Sequence, residues 1–131
     1  MMYLTKKIRA NRIAKKIVII MYARKDRYTF DSPRYIEKFS YGDLYIEISP
    51  NDYYDGSDPP DVLVKYKDDL VLEAVAKGLG GGVGGYRIKA FREGDWIETI
   101  EDLYKKADAK FTAHYQSLKK EKERNFSPIG K

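Results

Sequence analysis

The chain has 131 residues, of which 34% are charged, 43% hydrophobic and 14% aromatic; it has no cysteine and a formal net charge of +5. This length suits one domain with one modest core, and 12 Tyr, 5 Phe and 1 Trp supply too much apolar surface for a chain that never folds. The absence of cysteine excludes disulfides, thiolate catalysis and cysteine-ligated zinc or iron–sulfur sites. The longest apolar run, Ile17 to Ala23, is short of a bilayer span and is followed by Arg24 and Lys25, so neither a membrane anchor nor a signal peptide is expected. A soluble, cytoplasmic protein is the expectation.

Taken in chain order, residues 3–23 predict a helix. Tyr3, Ala10, Ile13, Ile17, Ile20 and Met21 fall near one face at 100° per residue, with no Gly or Pro between. The β-branched stretch Ile17-Val18-Ile19-Ile20 points the other way, toward a strand that turns through Arg24-Lys25-Asp26. Asp31-Ser32-Pro33 is a break. Tyr35 to Tyr41 and Leu44 to Ser49 then predict a hairpin around Gly42-Asp43, because Leu44, Ile46 and Ile48 alternate with polar neighbours. Asn51 to Asp61 is a polar loop. A second hairpin joins Val62–Tyr66 to Leu70–Val75 through Lys67-Asp68-Asp69, and Tyr86–Arg92 supplies a further strand.

Asp95 is placed to cap a last helix, with Glu98 completing a capping box. Ile97, Ile100, Tyr104, Ala107, Phe111, Tyr115 and Leu118 follow at spacings of three and four, which predicts a long amphipathic helix over 96–122. The fold class expected is α+β: an antiparallel meander of about four to five strands packed against an N-terminal and a long C-terminal helix. Residues 1–124 form one domain in this reading, and 125–131 a frayed tail carrying Pro128 and Gly130.

The net charge conceals three opposed blocks. Residues 1–27 hold nine Lys/Arg against Asp26; residues 28–104 hold eight basic and sixteen acidic side chains; residues 105–131 hold eight basic against three acidic. Such asymmetry bears on partners rather than on fold. Lys6, Lys7, Arg9, Arg12, Lys15 and Lys16 span three turns of the first helix, enough to meet several backbone phosphates, and Arg24 and Lys25 beyond its end join the same candidate site. The reading that leads is therefore a small non-enzymatic protein that contacts nucleic acid or a ribonucleoprotein through basic helical surface. The competing reading for the same cations is a solvated face, or one that pairs with the acidic strands of its own chain.

An alternative uses the acidic middle: an inhibitor or immunity-type module whose Asp52, Tyr53, Tyr54, Asp55 and Asp58 dock a basic protein or mimic nucleic acid. Catalysis finds less support. His114 is the single histidine, and Ser117 is its neighbour on the same helix rather than on a nucleophile elbow. The acidic loop fails as an EF-hand, with Tyr53 at the third position and Val62 at the twelfth. Nothing sets two carboxylates at a defined separation. No cofactor or metal is expected. The run Gly78 to Gly85 holds six of ten glycines but leads into a strand rather than a helix, so it reads as a connection and not as a phosphate loop. Tyr22, Tyr28, Tyr35, Tyr41, Tyr45, Tyr53 and Tyr54 lie among Arg and Lys, a mixture suited to stacking on unpaired bases, though many of them also read as strand formers with one face buried. The core strand of an RNA-recognition motif is nonetheless missing. Trp96 is expected to anchor the last helix on the sheet.

Overall fold

The computed structural model describes residues 2–28, 33–50, 60–76 and 86–125. Two helices, α1 (Met2–Arg24) and α2 (Trp96–Asn125), flank five strands: β1 (Glu37–Tyr41), β2 (Leu44–Ser49), β3 (Asp61–Tyr66), β4 (Asp69–Ala76) and β5 (Tyr86–Phe91). The strands form one antiparallel sheet in the order β1-β2-β3-β4-β5. The α+β meander expected from the periodicities is the fold. The Asn51–Pro59 and Gly78–Gly85 segments lie outside the described residues, as does the tail from residue 126, while Asn125 still belongs to α2.

The β-branched stretch that favoured a strand is helical. Ile17, Val18 and Ile20 are all buried, with Ala10, Ile13, Ala14, Met21, Tyr22 and Ala23. Those residues cover well over half the helix circumference. Tertiary burial on several sides therefore outweighs the modest helix-propensity cost of β-branching. The helix crosses the sheet from one edge to the other. Asn11 meets Tyr86 in β5, and the Arg24 guanidinium lies 3.8 Å from the Phe39 ring centroid in β1.

The strand expected from Tyr35 begins instead at Glu37. Glu37 pairs with Ile48, so Tyr35 would fall opposite Pro50, which has no N–H to extend the ladder. Tyr35 and Ile36 are left exposed. The two hairpin turns show the backbone that tight turns require. Gly42 alone has positive φ (58°) between β1 and β2, while Lys67 (51°) and Asp68 (67°) both do between β3 and β4. The second pattern is that of a type I′ turn, filled here by two non-glycine residues.

Core residues alternate along the strands as half-buried strands demand: Leu44, Ile46 and Ile48, then Val62 and Val64, then Leu72, Ala74 and Ala76. α2 packs along α1 through Ile97, Ile100, Ala107 and Phe111. Trp96 reaches the sheet. It is buried, its ring meets Phe91 edge-on, and its indole N–H donates to the Arg92 carbonyl at 2.8 Å. The first turn of α2 closes through backbone, with Ile97 N donating to Gly94 O and Glu98 N to Asp95 O.

Candidate nucleic-acid interface

The two helices run in the same direction, because their partners advance in step. Arg9 pairs with Glu93, Lys16 with Glu101 at 2.8 Å, and the Lys110 ammonium donates to the Ala23 carbonyl at 2.7 Å and to Asp26 at 2.8 Å. Lys110 thus supplies a cation to the C-terminus of α1, where exposed carbonyls and the helix dipole favour one. The Asp26–Lys110 pair holds the Asp26 carboxyl below its ordinary value and the Lys110 ammonium above its own, chiefly through their mutual hydrogen bond. Just beyond, Tyr28 stacks on His114 at 4.0 Å and meets Phe111 edge-on, while the Tyr115 hydroxyl donates to the Tyr28 carbonyl at 3.0 Å. His114 is a packing residue of this joint.

The eight cations singled out in the sequence divide sharply. Arg9 and Lys16 face α2 and its approach, and are held there by Glu93 and Glu101. Arg24 lies on Phe39, and Lys25 pairs with Glu37 at 3.2 Å. Arg27 completes that last site, donating to the same Glu37 oxygen at 2.8 Å with its guanidinium 4.9 Å from the Tyr22 ring centroid. Glu37 is buried, and its second oxygen has no hydrogen-bond partner. Lys6, Arg12 and Lys15 are exposed and, among the described residues, have no ion-pair partner. At 100° per residue, Arg12 and Lys15 share a stripe with exposed Ile8 and half-buried Ile19, away from the core. Part of the basic block therefore closes on the chain's own carboxylates, and part stays open.

A groove adjoins that open part. Lys6 and Lys7 from α1 and Ile88, Lys89, Ala90 and Phe91 from β5 enclose about 300 Å³. Two local features build it. Asn11 ties α1 to the start of β5, accepting from Tyr86 N at 2.7 Å and donating to Tyr86 O at 3.4 Å. The register of β4 and β5 then shifts, Ala74 opposing Ile88 and Glu73 opposing Ala90, so Lys89 is the extra residue of a bulge. Sequence reasoning did not find Lys89, since a bulge carries no mark in hydrophobic alternation. Among the described residues the groove walls contain no carboxylate. Two other depressions do: one of 490 Å³ holds Asp43, Glu47 and Asp68, and one of 250 Å³ holds Asp69, Glu93 and Asp95.

The remaining sequence candidates are elsewhere or outside the described residues. Asp52, Tyr53, Tyr54, Asp55 and Asp58 are outside. Among the described carboxylates, Asp61 accepts from Ala76 N at 2.8 Å and so joins β3 to β4. Tyr22 is buried, Tyr28 and Tyr45 are half-buried, and Tyr35 and Tyr41 are exposed. The Tyr45 hydroxyl donates to Glu47 at 2.6 Å, which pushes its ionisation up to about 12. Lys119, Lys120 and Lys122 occupy the exposed far end of α2. Lys119 is about 27 Å along the helix from Glu101, the partner of Lys16, on the ordinary helical rise. The two basic blocks meet at Lys110, beside Ala23 and Asp26, while Lys119, Lys120 and Lys122 lie away from the open cations of α1.

Among the described residues no group of three or more His, Cys, Asp or Glu is arranged to hold a metal ion, and no helix is long and apolar enough to cross a membrane. Compared with known proteins, the chain matches no family model, no curated protein and no solved structure.

Proposed function

We propose that the chain is a small non-enzymatic nucleic-acid-binding protein that meets backbone phosphates through cations of α1, Lys6 at its head beside β5 and Arg12 and Lys15 on its outer stripe. The observation that carries this reading is the division of the cations. After Arg9, Lys16, Arg24 and Lys25 have taken partners within the fold, Lys6, Arg12 and Lys15 remain exposed with none among the described residues. Lys89 adds a cation from the neighbouring strand. A partner with regularly spaced negative charge suits such a surface, and displacement of its counterions would supply the driving force.

The expected behaviour is sequence-tolerant binding that falls as salt rises. Fluorescence anisotropy of labelled single- and double-stranded oligonucleotides at low salt tests it. The triple variant Lys6→Glu, Arg12→Glu, Lys15→Glu should weaken binding by at least tenfold. The control Lys119→Glu, Lys120→Glu, Lys122→Glu, at the far end of α2, should change it by less than threefold. Absence of binding by the wild type, or equal loss in both variants, would contradict the assignment.

A further inference from the structure

We infer that the groove between the head of α1 and the bulged edge of β5 seats one unstacked nucleotide, so that single strands are preferred over duplexes. This rests on the nucleic-acid reading above and narrows it to a substrate class. Three features of the groove bear on the choice.

Its walls are of two chemical kinds in contact. Ile88, Ala90 and Phe91 are half-buried and apolar, whereas the other described lining residues, Lys6, Lys7 and Lys89, are all lysines. A stripe of lysines on a helix meets phosphates alone. Lysines set around an apolar floor suit a ligand that is itself divided, with a flat apolar body and an adjacent anion. A nucleotide with its base exposed has that form, and a base inside a duplex does not, because its faces are covered by its neighbours.

The volume agrees. About 300 Å³ lies at the small end of ligand pockets, enough for one base and its sugar-phosphate rather than a length of helix. The electrostatics agree as well. The first turn of α1 carries no acidic residue, so the positive end of its dipole adds to the charge of Lys6 and Lys7. None of the six groove residues is a carboxylate that would repel a phosphate.

The floor is also held in place. The Phe91 ring stands 6.2 Å from the Trp96 ring at 77°, and Trp96 is fixed by its bond to the Arg92 carbonyl. Asn11 holds the start of the strand, and the Arg9–Glu93 pair holds its exit. A rigid apolar surface loses little entropy when a base settles on it.

The test compares three fluorescein-labelled probes of equal length on the intact protein at one low salt concentration. They are a single-stranded oligonucleotide, the duplex of the same sequence, and an abasic strand with the same phosphates and no bases. The single strand should bind at least about fivefold more tightly than the abasic strand, the smallest advantage expected from one stacked base. Lys89→Glu should weaken the single strand by at least tenfold and the duplex by no more than threefold. Phe91→Leu keeps an apolar side chain against Trp96 and removes the ring. With its melting temperature held within a few degrees of wild type, it should erase the single-strand advantage over the abasic probe. Equal affinity for base-bearing and abasic strands would overturn the groove assignment and leave the phosphate-binding face of α1 standing. Tighter binding of the duplex than of the single strand would do the same. Failure to bind any of the three would overturn both.

Discussion

Tyr86 and Glu37 carry the two buried side-chain oxygens that find no partner among the described residues. They are opposite cases. Tyr86 keeps its backbone bonds to Asn11 whatever its side chain does, so its hydroxyl contributes burial cost without a compensating bond. An orphaned buried polar group costs about 1–3 kcal/mol. Tyr86→Phe should therefore stabilise the fold by ~1 kcal/mol, read as a higher urea midpoint at neutral pH. Burial raises the ionisation of this hydroxyl far above its ordinary 10.0. With the folded-state value above the unfolded one, alkali ionises the unfolded chain first, so the wild type loses stability as pH rises beyond 10.0. The gain from Tyr86→Phe should accordingly widen in alkaline solution. Glu37 differs because its charge is matched on one oxygen. Arg27 is the more buried partner, its side chain 33% exposed against 51% for Lys25. Removing the closer cation leaves a buried carboxylate poorly compensated. Arg27→Met should cost ~2 kcal/mol and Lys25→Met under ~1 kcal/mol, by denaturant unfolding of the two variants.

At the scale of elements, the turns and the long helix decide what was legible. Leu44, Ile46 and Ile48 declared their strand by alternation, and the Ile97 to Leu118 stripe declared α2 by its period. The first helix was ambiguous because a helix buried on several sides loses its clean polar face, and Ile17 to Ile20 then looks like a strand. The turn at Lys67-Asp68 was placed correctly although its residues are poor for it. Both take positive φ, which Asn-Gly accepts at lower cost. The double substitution Lys67→Asn, Asp68→Gly should raise stability by ~1 kcal/mol, a rise in melting temperature of roughly 3–5 °C by calorimetry. The backbone N–H that Lys67 donates to the Asp43 carbonyl is retained in that variant. The candidate site was half legible. Lys6, Arg12 and Lys15 were visible as charges in a helix, but their availability was not. Which cations pair depends on where Glu93 and Glu101 arrive, and that is set by the parallel course of α2 along α1. Lys89 was hidden for a related reason: a bulge is a property of two strands in register, not of one segment.

At the scale of the whole molecule, the three charge blocks form neither a uniform field nor a simple internal neutralisation. The described ion pairs knit α1 to the approach of α2 and to α2, and the segment after α1 to β1 and α2. What remains open runs from the head of α1 beside β5 to Arg12 and Lys15 at mid-helix, with a separate basic stretch at the far end of α2. On the proposed reading the α1 cations act through phosphates, and such binding has a quantitative signature. The logarithm of the association constant falls linearly with the logarithm of salt concentration, by about 0.7 for each phosphate neutralised on a single strand. The most direct test is that slope, measured with a single-stranded oligonucleotide for the wild type and for Arg12→Gln, Lys15→Gln. The wild type should show a negative slope that becomes shallower by about 1.4 when both charges are removed. A slope near zero in the wild type, or one unchanged by the double substitution, would contradict the proposed reading.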